Sequence, residues 1–358
     1  MPAPGRGSYS APWWLPGGHA QTIFPALTGR RRRLRVTQSY RRERWASEDA
    51  HGAPDGDFID VDFLPWIEGA PLVVVFHGLE GSSSSHYALA LMGALQARGW
   101  NGCVAHFRGC SGESNRLARA YHSGDSTEID WIIRRLQPRL SASGMPPSAT
   151  PVSGKPAAAA PAAPARSLLY AAGVSLGGNA LAKWAAEQGD AAKPLVRAAV
   201  SVSSPLDLAA CGAALGRGFN MIYTRMFLNT LKQKGAAKLQ QHPGIYDIDL
   251  VLGARDLYAF DNLVTAPLHG YRDTDDYYAR ASAKPLLKNV RLPLLLINAR
   301  NDPFYPAHAL PTAADVSATV TLEQPATGGH VGFAQGGLPP GNIAWLPQRL
   351  LQYFDQHQ

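Results

Sequence analysis

Apolar residues in this chain gather in short runs, and their spacing switches between two periods. Leu72-Val73-Val74-Val75-Phe76, Cys103-Val104-Ala105-His106-Phe107, Leu168-Leu169-Tyr170-Ala171-Ala172 and Leu294-Leu295-Leu296-Ile297-Asn298 are strand-length and nearly continuous. The last of these has the pattern of a strand buried on both faces. Phe58-Ile59-Asp60-Val61-Asp62-Phe63 alternates with period two, which predicts a strand with one face buried. Between the runs the period lengthens. Helices are predicted from His86 to Arg98 and from Gly178 to Gln188, and Ile129, Trp131, Ile132, Ile133 and Leu136 mark another. Asp125 with Glu128 three residues on predicts a capping box at the start of that helix.

Two stretches break the strand–helix alternation. Residues 138–166 are rich in Pro, Ala, Ser and Gly and carry almost no large apolar side chain. Such a segment buries too little surface to offset the entropy of ordering, so a flexible inserted loop is expected there. The pattern resumes on both sides of it, so one domain is expected over residues 1–358. Between Leu206 and Pro285 strand-like runs lapse. Met221, Met226 and Phe227 recur at helical spacing with Ile222, Tyr223, Leu228 and Leu231, and a series of tyrosines follows. Residues 206–285 are expected to form helices, either packed as ordinary core or set as a cap whose apolar underside takes a substrate chain. Met221, Met226 and Phe227 are the candidate contacts.

The chemistry concentrates at Gly173-Val174-Ser175-Leu176-Gly177, between an apolar run and a helix-like stretch. Strand, G-x-S-x-G, helix is the nucleophile elbow of α/β-hydrolases. A turn that sharp tolerates only the smallest side chains beside the serine, and it aims a helix N-terminus at the hydroxyl. A serine hydroxyl is a weak nucleophile and needs a base, a group to orient the base, and oxyanion donors. In this fold the acid and then the histidine follow the serine. Of the histidines after Ser175, His330 stands in Thr327-Gly328-Gly329-His330-Val331-Gly332-Phe333, a glycine-flanked loop after the strand-like Val320-Thr321-Leu322-Glu323. His308 and His357 look structural. Asp302, before Pro303 at the end of the Leu294–Asn298 run, is the favoured acid, and Asp207, one strand earlier, is its competitor. The backbone N–H groups of Leu79, in His77-Gly78-Leu79-Glu80-Gly81, and of Leu176 are the expected oxyanion donors. His77 is expected to brace its loop.

Composition narrows the classes. The chain has 358 residues, 46% of them hydrophobic, enough for a large core. Between Arg30 and Arg44 eight arginines face one acid, Glu43, so this segment alone carries the whole chain's net +7. Alternation of Arg33 and Arg35 with Leu34 and Val36 predicts an edge strand with its charge in water. Peripheral contact of Arg30–Arg33 with an anionic membrane is the alternative. No nucleic-acid-binding module accompanies the arginines. Cys103, Cys110 and Cys211 form no disulfide framework or zinc pattern, so no metal and no cofactor is expected, and reduced thiols fit the cytoplasm.

Several segments resemble the YheT-like family of α/β-hydrolases, a group of predicted esterases with lipid-acting relatives. They are Pro12-Trp13-Trp14-Leu15-Pro16-Gly17-Gly18-His19-Ala20-Gln21-Thr22, Asp55-Gly56-Asp57-Phe58, His77–Gly81, Phe107-Arg108-Gly109-Cys110-Ser111-Gly112, Tyr121-His122-Ser123-Gly124-Asp125 and the elbow with Gly178-Asn179. The resemblance implies an α/β-hydrolase fold: a mostly parallel central sheet flanked by helices, with a helical cap inserted after the sixth strand. It also implies Ser175, Asp302 and His330 as the triad. The expected activity is hydrolysis of small carboxylic esters of short to medium acyl chain, lipid-derived esters among them, through an acyl-enzyme. An acyltransferase using the same acyl-enzyme is the first alternative. A non-catalytic binding module is the second, and it would be expected to have lost a member of the triad.

Overall fold

The apolar runs become the middle of one sheet. The structure, a computed structural model, describes residues 9–33, 39–49, 52–141 and 167–358. Its strands are β1 (Arg41–Glu48), β2 (Pro54–Phe63), β3 (Leu72–Phe76), β4 (Asn101–Ala105), β5 (Leu169–Val174), β6 (Ala198–Val202), β7 (Leu294–Ile297) and β8 (Val320–Glu323). They form an eight-stranded sheet in the order β1-β2-β4-β3-β5-β6-β7-β8. β3 to β8 run parallel, whereas β1 and β2 join antiparallel at one edge.

The helices are α1 (Gly17–Arg33), α2 (His86–Arg98), α3 (Ser126–Leu136), α4 (Leu176–Gln188), α5 (Leu208–Leu215), α6 (Met221–Gln241), α7 (Ile248–Gly253), α8 (Leu257–Phe260), α9 (Ala266–Leu268), α10 (Thr274–Ala281) and α11 (Trp345–Asp355). Successive side chains of a strand point to opposite faces, and β3 shows why an unbroken apolar run was needed. Leu72, Val74 and Phe76 pack with Ile129 and Ile132 of α3 and Trp184 of α4. Val73 and Val75 face the other way, onto Leu91 and Leu95 of α2 and Phe354 of α11. Burying each such side chain contributes roughly 1.5–3 kcal/mol, so neither face tolerates a polar residue. Helices α5 to α10 fill the chain between β6 and β7 and form the cap after the sixth strand.

Two sequence-based expectations are corrected. The polar face of β2 is buried. Asp60 pairs with Arg44 (2.8 Å), and Asp62 pairs with Arg42 (2.7 Å) and His106 (2.9 Å). Burial opposes the Asp62 charge, but the bonds from Arg42, His106 and Ser83 prevail and hold its carboxyl well below the usual range. Arg41–Glu48 lies at this edge of the sheet, and its Arg42 and Arg44, though partly open to water, reach across to the carboxylates of the neighbouring strand. Arg30–Arg33 end α1, while 34–38 and most of the Pro/Ala-rich stretch (142–166) lie outside the described residues. Finally, Asp125 and Glu128 make no capping box. Asp125 is the N-cap of α3 without a side-chain cap bond. Arginines take both carboxylates: Arg119 lies 2.8 Å from Asp125, and Arg108 lies 2.6 Å from Glu128.

Candidate active site

Ser175 sits between β5 and α4 at φ 53° and ψ −122°, a strained conformation for a residue with a side chain. The turn closes because its neighbours lack side chains. A Cβ on Gly173 would fall 2.5 Å from the Gly177 carbonyl oxygen, and one on Gly177 would fall 2.5 Å from those of Phe76 and His77. β5 thus passes directly into α4, and the Ser175 hydroxyl is presented at the helix N-terminus.

Two loops that follow neighbouring strands serve that hydroxyl, one directly and one through the other. Asp302 follows β7 and His330 follows β8. His330 Nδ1 donates to Asp302 Oδ2 at 2.9 Å, which leaves Nε2 as acceptor for the Ser175 hydroxyl at 3.1 Å. That tautomer follows from the bonding pattern, since a carboxylate can only accept. Asp302 is only 5% exposed, and its other oxygen accepts the Phe304 N–H at 2.8 Å. The Phe304 ring lies 4.2 Å from the His330 ring, centre to centre. The competitor Asp207 is the N-cap of α5, accepting the Ala210 N–H at 3.1 Å, with Lys284 3.9 Å away.

Leu79 and Leu176 both line the cavity that contains Ser175. In the first turn of α4 the N–H of Gly177 donates to His77, and those of Gly178 and Asn179 donate to Ser175. Neither Leu176 N–H nor Leu79 N–H has an acceptor among the described residues. Two free donors therefore lie beside the hydroxyl, where a helix dipole adds to their pull on negative charge. His77 braces the loop as expected. Nδ1 donates to the Gly78 carbonyl (2.8 Å) and Nε2 accepts from the Phe107 N–H (3.0 Å). Burial pushes its pKa down to about 3, so it stays neutral.

The cavity measures about 190 Å³ and extends from Ser175 beneath the cap. Its apolar wall includes Phe227, Leu231, Phe260, Val264 and Leu268. Phe227 is the candidate contact that faces the site. Met226 points outward, 56% exposed, and Met221 does not line the cavity either. The reason is the phase of α6. Phe227, Leu231, Lys234, Gly235 and Lys238 recur at the i, i+4, i+7, i+8, i+11 spacing of one helix face, and Met226 is a 100° step off it. The wall is not wholly apolar. Lys234 bridges from the cap to Glu80 at 2.8 Å. Asp261 accepts from the Tyr278 and Thr265 hydroxyls, and burial pushes its carboxyl up to about 6. Among the described residues no cluster has the makeup of a metal site, and no helix is long and apolar enough to cross a membrane.

Over 340 residues, 93% of its length, the chain is 39% identical to the predicted esterase YheT of Escherichia coli and covers 88% of that protein. The chain belongs to the YheT-like esterase family of α/β-hydrolases. No family model matches it. It is also 30% identical over 272 residues to the phospholipase ABHD3 of Mus musculus, covering 75% of this chain and 60% of that protein. Among solved structures, the esterase Pf2001 of Pyrococcus furiosus superposes with a TM-score of 0.52 at 14% identity, over 91% of this chain and 95% of that one. At that identity the likeness is one of fold.

The YheT-like segments quoted above have physical roles in this chain. Arg108 joins Asp57 (2.8 Å) to Glu128 (2.6 Å), tying β2 to α3 beside the cavity. Burial opposes the Asp57 charge, yet bonds from Asn115, the Arg116 N–H and Arg108 keep its carboxyl below the usual range. Tyr121 accepts the Glu80 N–H and donates to the Glu80 carboxylate, both at 2.8 Å, which fixes the residue after Leu79. Asn179 donates to the Ser123 and Ala281 carbonyls (2.8 and 2.9 Å) and accepts the Ala283 N–H (3.0 Å), joining α4 to the end of the cap. Sequence reasoning gave Phe304, Gln21, Thr22, Asn301 and Ser203 no role. Gln21 and Thr22 lie in the opening segment that was singled out, which was the available signal for them.

Proposed function

We propose that the protein hydrolyses carboxylic esters of short to medium acyl chain through an acyl-enzyme on Ser175. The observation that carries this is the line of bonds from Ser175 Oγ through His330 to Asp302, set beside two free N–H groups at one end of an apolar cavity. His330 Nε2 takes the hydroxyl proton as Oγ attacks the ester carbonyl, and Asp302 stabilises the imidazolium that forms. The Leu79 and Leu176 N–H groups receive the charge on the carbonyl oxygen. The C–O bond to the alcohol breaks, and the alcohol leaves with the proton from His330. Water then gives a proton to the same nitrogen, adds to the acyl carbon and releases the acid, restoring Ser175. None of these steps calls for a metal or cofactor. Ester hydrolysis is favoured over transfer because water alone completes the cycle.

The cavity suggests the acyl side of the substrate. A screen of p-nitrophenyl esters from acetate to dodecanoate should show kcat/KM rising with chain length and then falling once the wall is filled. Leu231→Trp should move that fall to shorter chains. Each methylene that loses apolar contact costs about 0.8 kcal/mol, so displacing two should lower kcat/KM for octanoate by roughly tenfold or more while acetate changes little. An equal loss for every chain length would mean that the cavity does not hold the acyl group.

A further inference from the structure

The loop that carries His330 has one backbone bond of its own, from the Phe333 N–H to the Gly328 carbonyl (3.1 Å), and is otherwise held from outside. Gly328, Gly329, Val331 and Phe333 have φ of 151°, 61°, 57° and 40°, and for the two side-chain-bearing residues such conformations are strained and persist only where the surroundings hold them. No helix or strand includes these residues. The loop is fixed by four successive backbone N–H groups, each donating to a side-chain oxygen from a distant segment. Gly328 donates to Gln21 Oε1 (2.8 Å), Gly329 to Asn301 Oδ1 (3.0 Å), His330 to Thr22 Oγ1 (2.8 Å) and Val331 to Ser203 Oγ (3.0 Å). Two of those oxygens come from α1, over 300 residues earlier in the chain.

Gln21 is 2% exposed and spans more than this loop. Its Oε1 also accepts from Asn301 Nδ2 at 2.9 Å, and its Nε2 donates to the Leu15 carbonyl at 2.8 Å. Asn301 precedes Asp302, so one buried amide links the loop holding the acid to the loop holding the base. Glycines let the segments close on each other. A Cβ on Gly18 would fall 1.9 Å from the Asn301 carbonyl oxygen, and one on Gly332 would fall 1.9 Å from that of Gln21.

We propose that Gln21 and Thr22, together with Asn301, are positioning residues, so that the N-terminal helix sets the alignment of Asp302 and His330 on Ser175. This rests on the triad assigned above. The physical demand is strict, because a misplacement of about 1 Å far from the chemistry can cost about 100-fold in rate. A buried amide with three partners is strongly directional, since each bond lost there strands a buried donor or acceptor.

Gln21→Met keeps the length of the side chain and removes every bond. Its kcat on a soluble short ester should fall roughly 10- to 100-fold, with KM changed by less than about threefold. Thr22→Val should lose kcat in the same way, and Thr22→Ser, which keeps the accepting oxygen, should restore it. If Gln21→Met does not fold, the Thr22 pair decides. A residue acting through the base has nothing to add once the base is gone, so in a His330→Ala background Gln21→Met should have no further effect on the residual rate. Wild-type kcat in folded Gln21→Met or Thr22→Val, or an undiminished loss in the His330→Ala background, would overturn the proposal. A His330→Ala protein with normal activity would overturn the triad instead.

Discussion

Ser175→Ala should lower kcat for p-nitrophenyl butyrate by at least ~10³ while the melting temperature hardly moves. The kinetic loss follows from removing the one atom that bonds to the acyl carbon, and what survives comes from the oxyanion donors and binding. The small thermal effect follows from the geometry. The Ser175 side chain makes a single hydrogen bond among the described residues, to His330, and alanine keeps the backbone at the same positive φ. Ser175→Gly separates the two effects. It should be as inactive as alanine yet more stable, because glycine adopts φ 53° and ψ −122° without the strain a Cβ brings, a relief of order 1 kcal/mol. Thermal melts with parallel steady-state kinetics check both. An alanine variant within tenfold of wild type would move the nucleophile elsewhere.

Asp302→Asn should cost ~10³ to 10⁴ in kcat, whereas Asp207→Asn should cost little. In the first, the carboxamide oxygen can still accept the Phe304 N–H, so the loop keeps its shape. The NH₂ group then faces His330 Nδ1, which must become the acceptor. The ring proton shifts to Nε2, the nitrogen that should take the serine proton. In the second, asparagine caps a helix about as well as aspartate, so α5 keeps its start. kcat for both variants with the same soluble ester gives the ranking. The reverse order would place the acid one strand earlier.

How far the sequence could be read depends on the range of the interaction. Runs such as Leu72–Phe76 and Leu294–Ile297 were legible as buried strands because their signal lies within a few residues. Ser175, Asp302 and His330 were legible as candidates because a fold that places them at strand ends also fixes their order along the chain. The cap was legible as a lapse in alternation, but its inner face was not. A Met/Phe/Leu stripe on α6 does not say which side meets the sheet, and the phase that puts Phe227 inside leaves Met226 in solvent. The charged residues of β2 and α3 misled for another reason. Period-two alternation and an acidic pair at a helix start have local explanations, and arginines from outside each element overrode both: Arg42 and Arg44 at β2, Arg108 and Arg119 at α3. Gln21 and Thr22 were the hardest to see. Their bonds cross more than 300 residues to the backbone of a loop, and backbone partners leave no pattern in sequence.

The most direct test of the whole account is covalent. A fluorophosphonate phosphonylates an activated serine and stops there, trapping a mimic of the tetrahedral species at the oxyanion donors. Wild-type protein treated with one equivalent should lose esterase activity in step with labelling, and peptide mass spectrometry should place the phosphonyl group on Ser175 alone. Stoichiometric labelling that leaves activity intact, or activity lost through a label on a different residue, would contradict it.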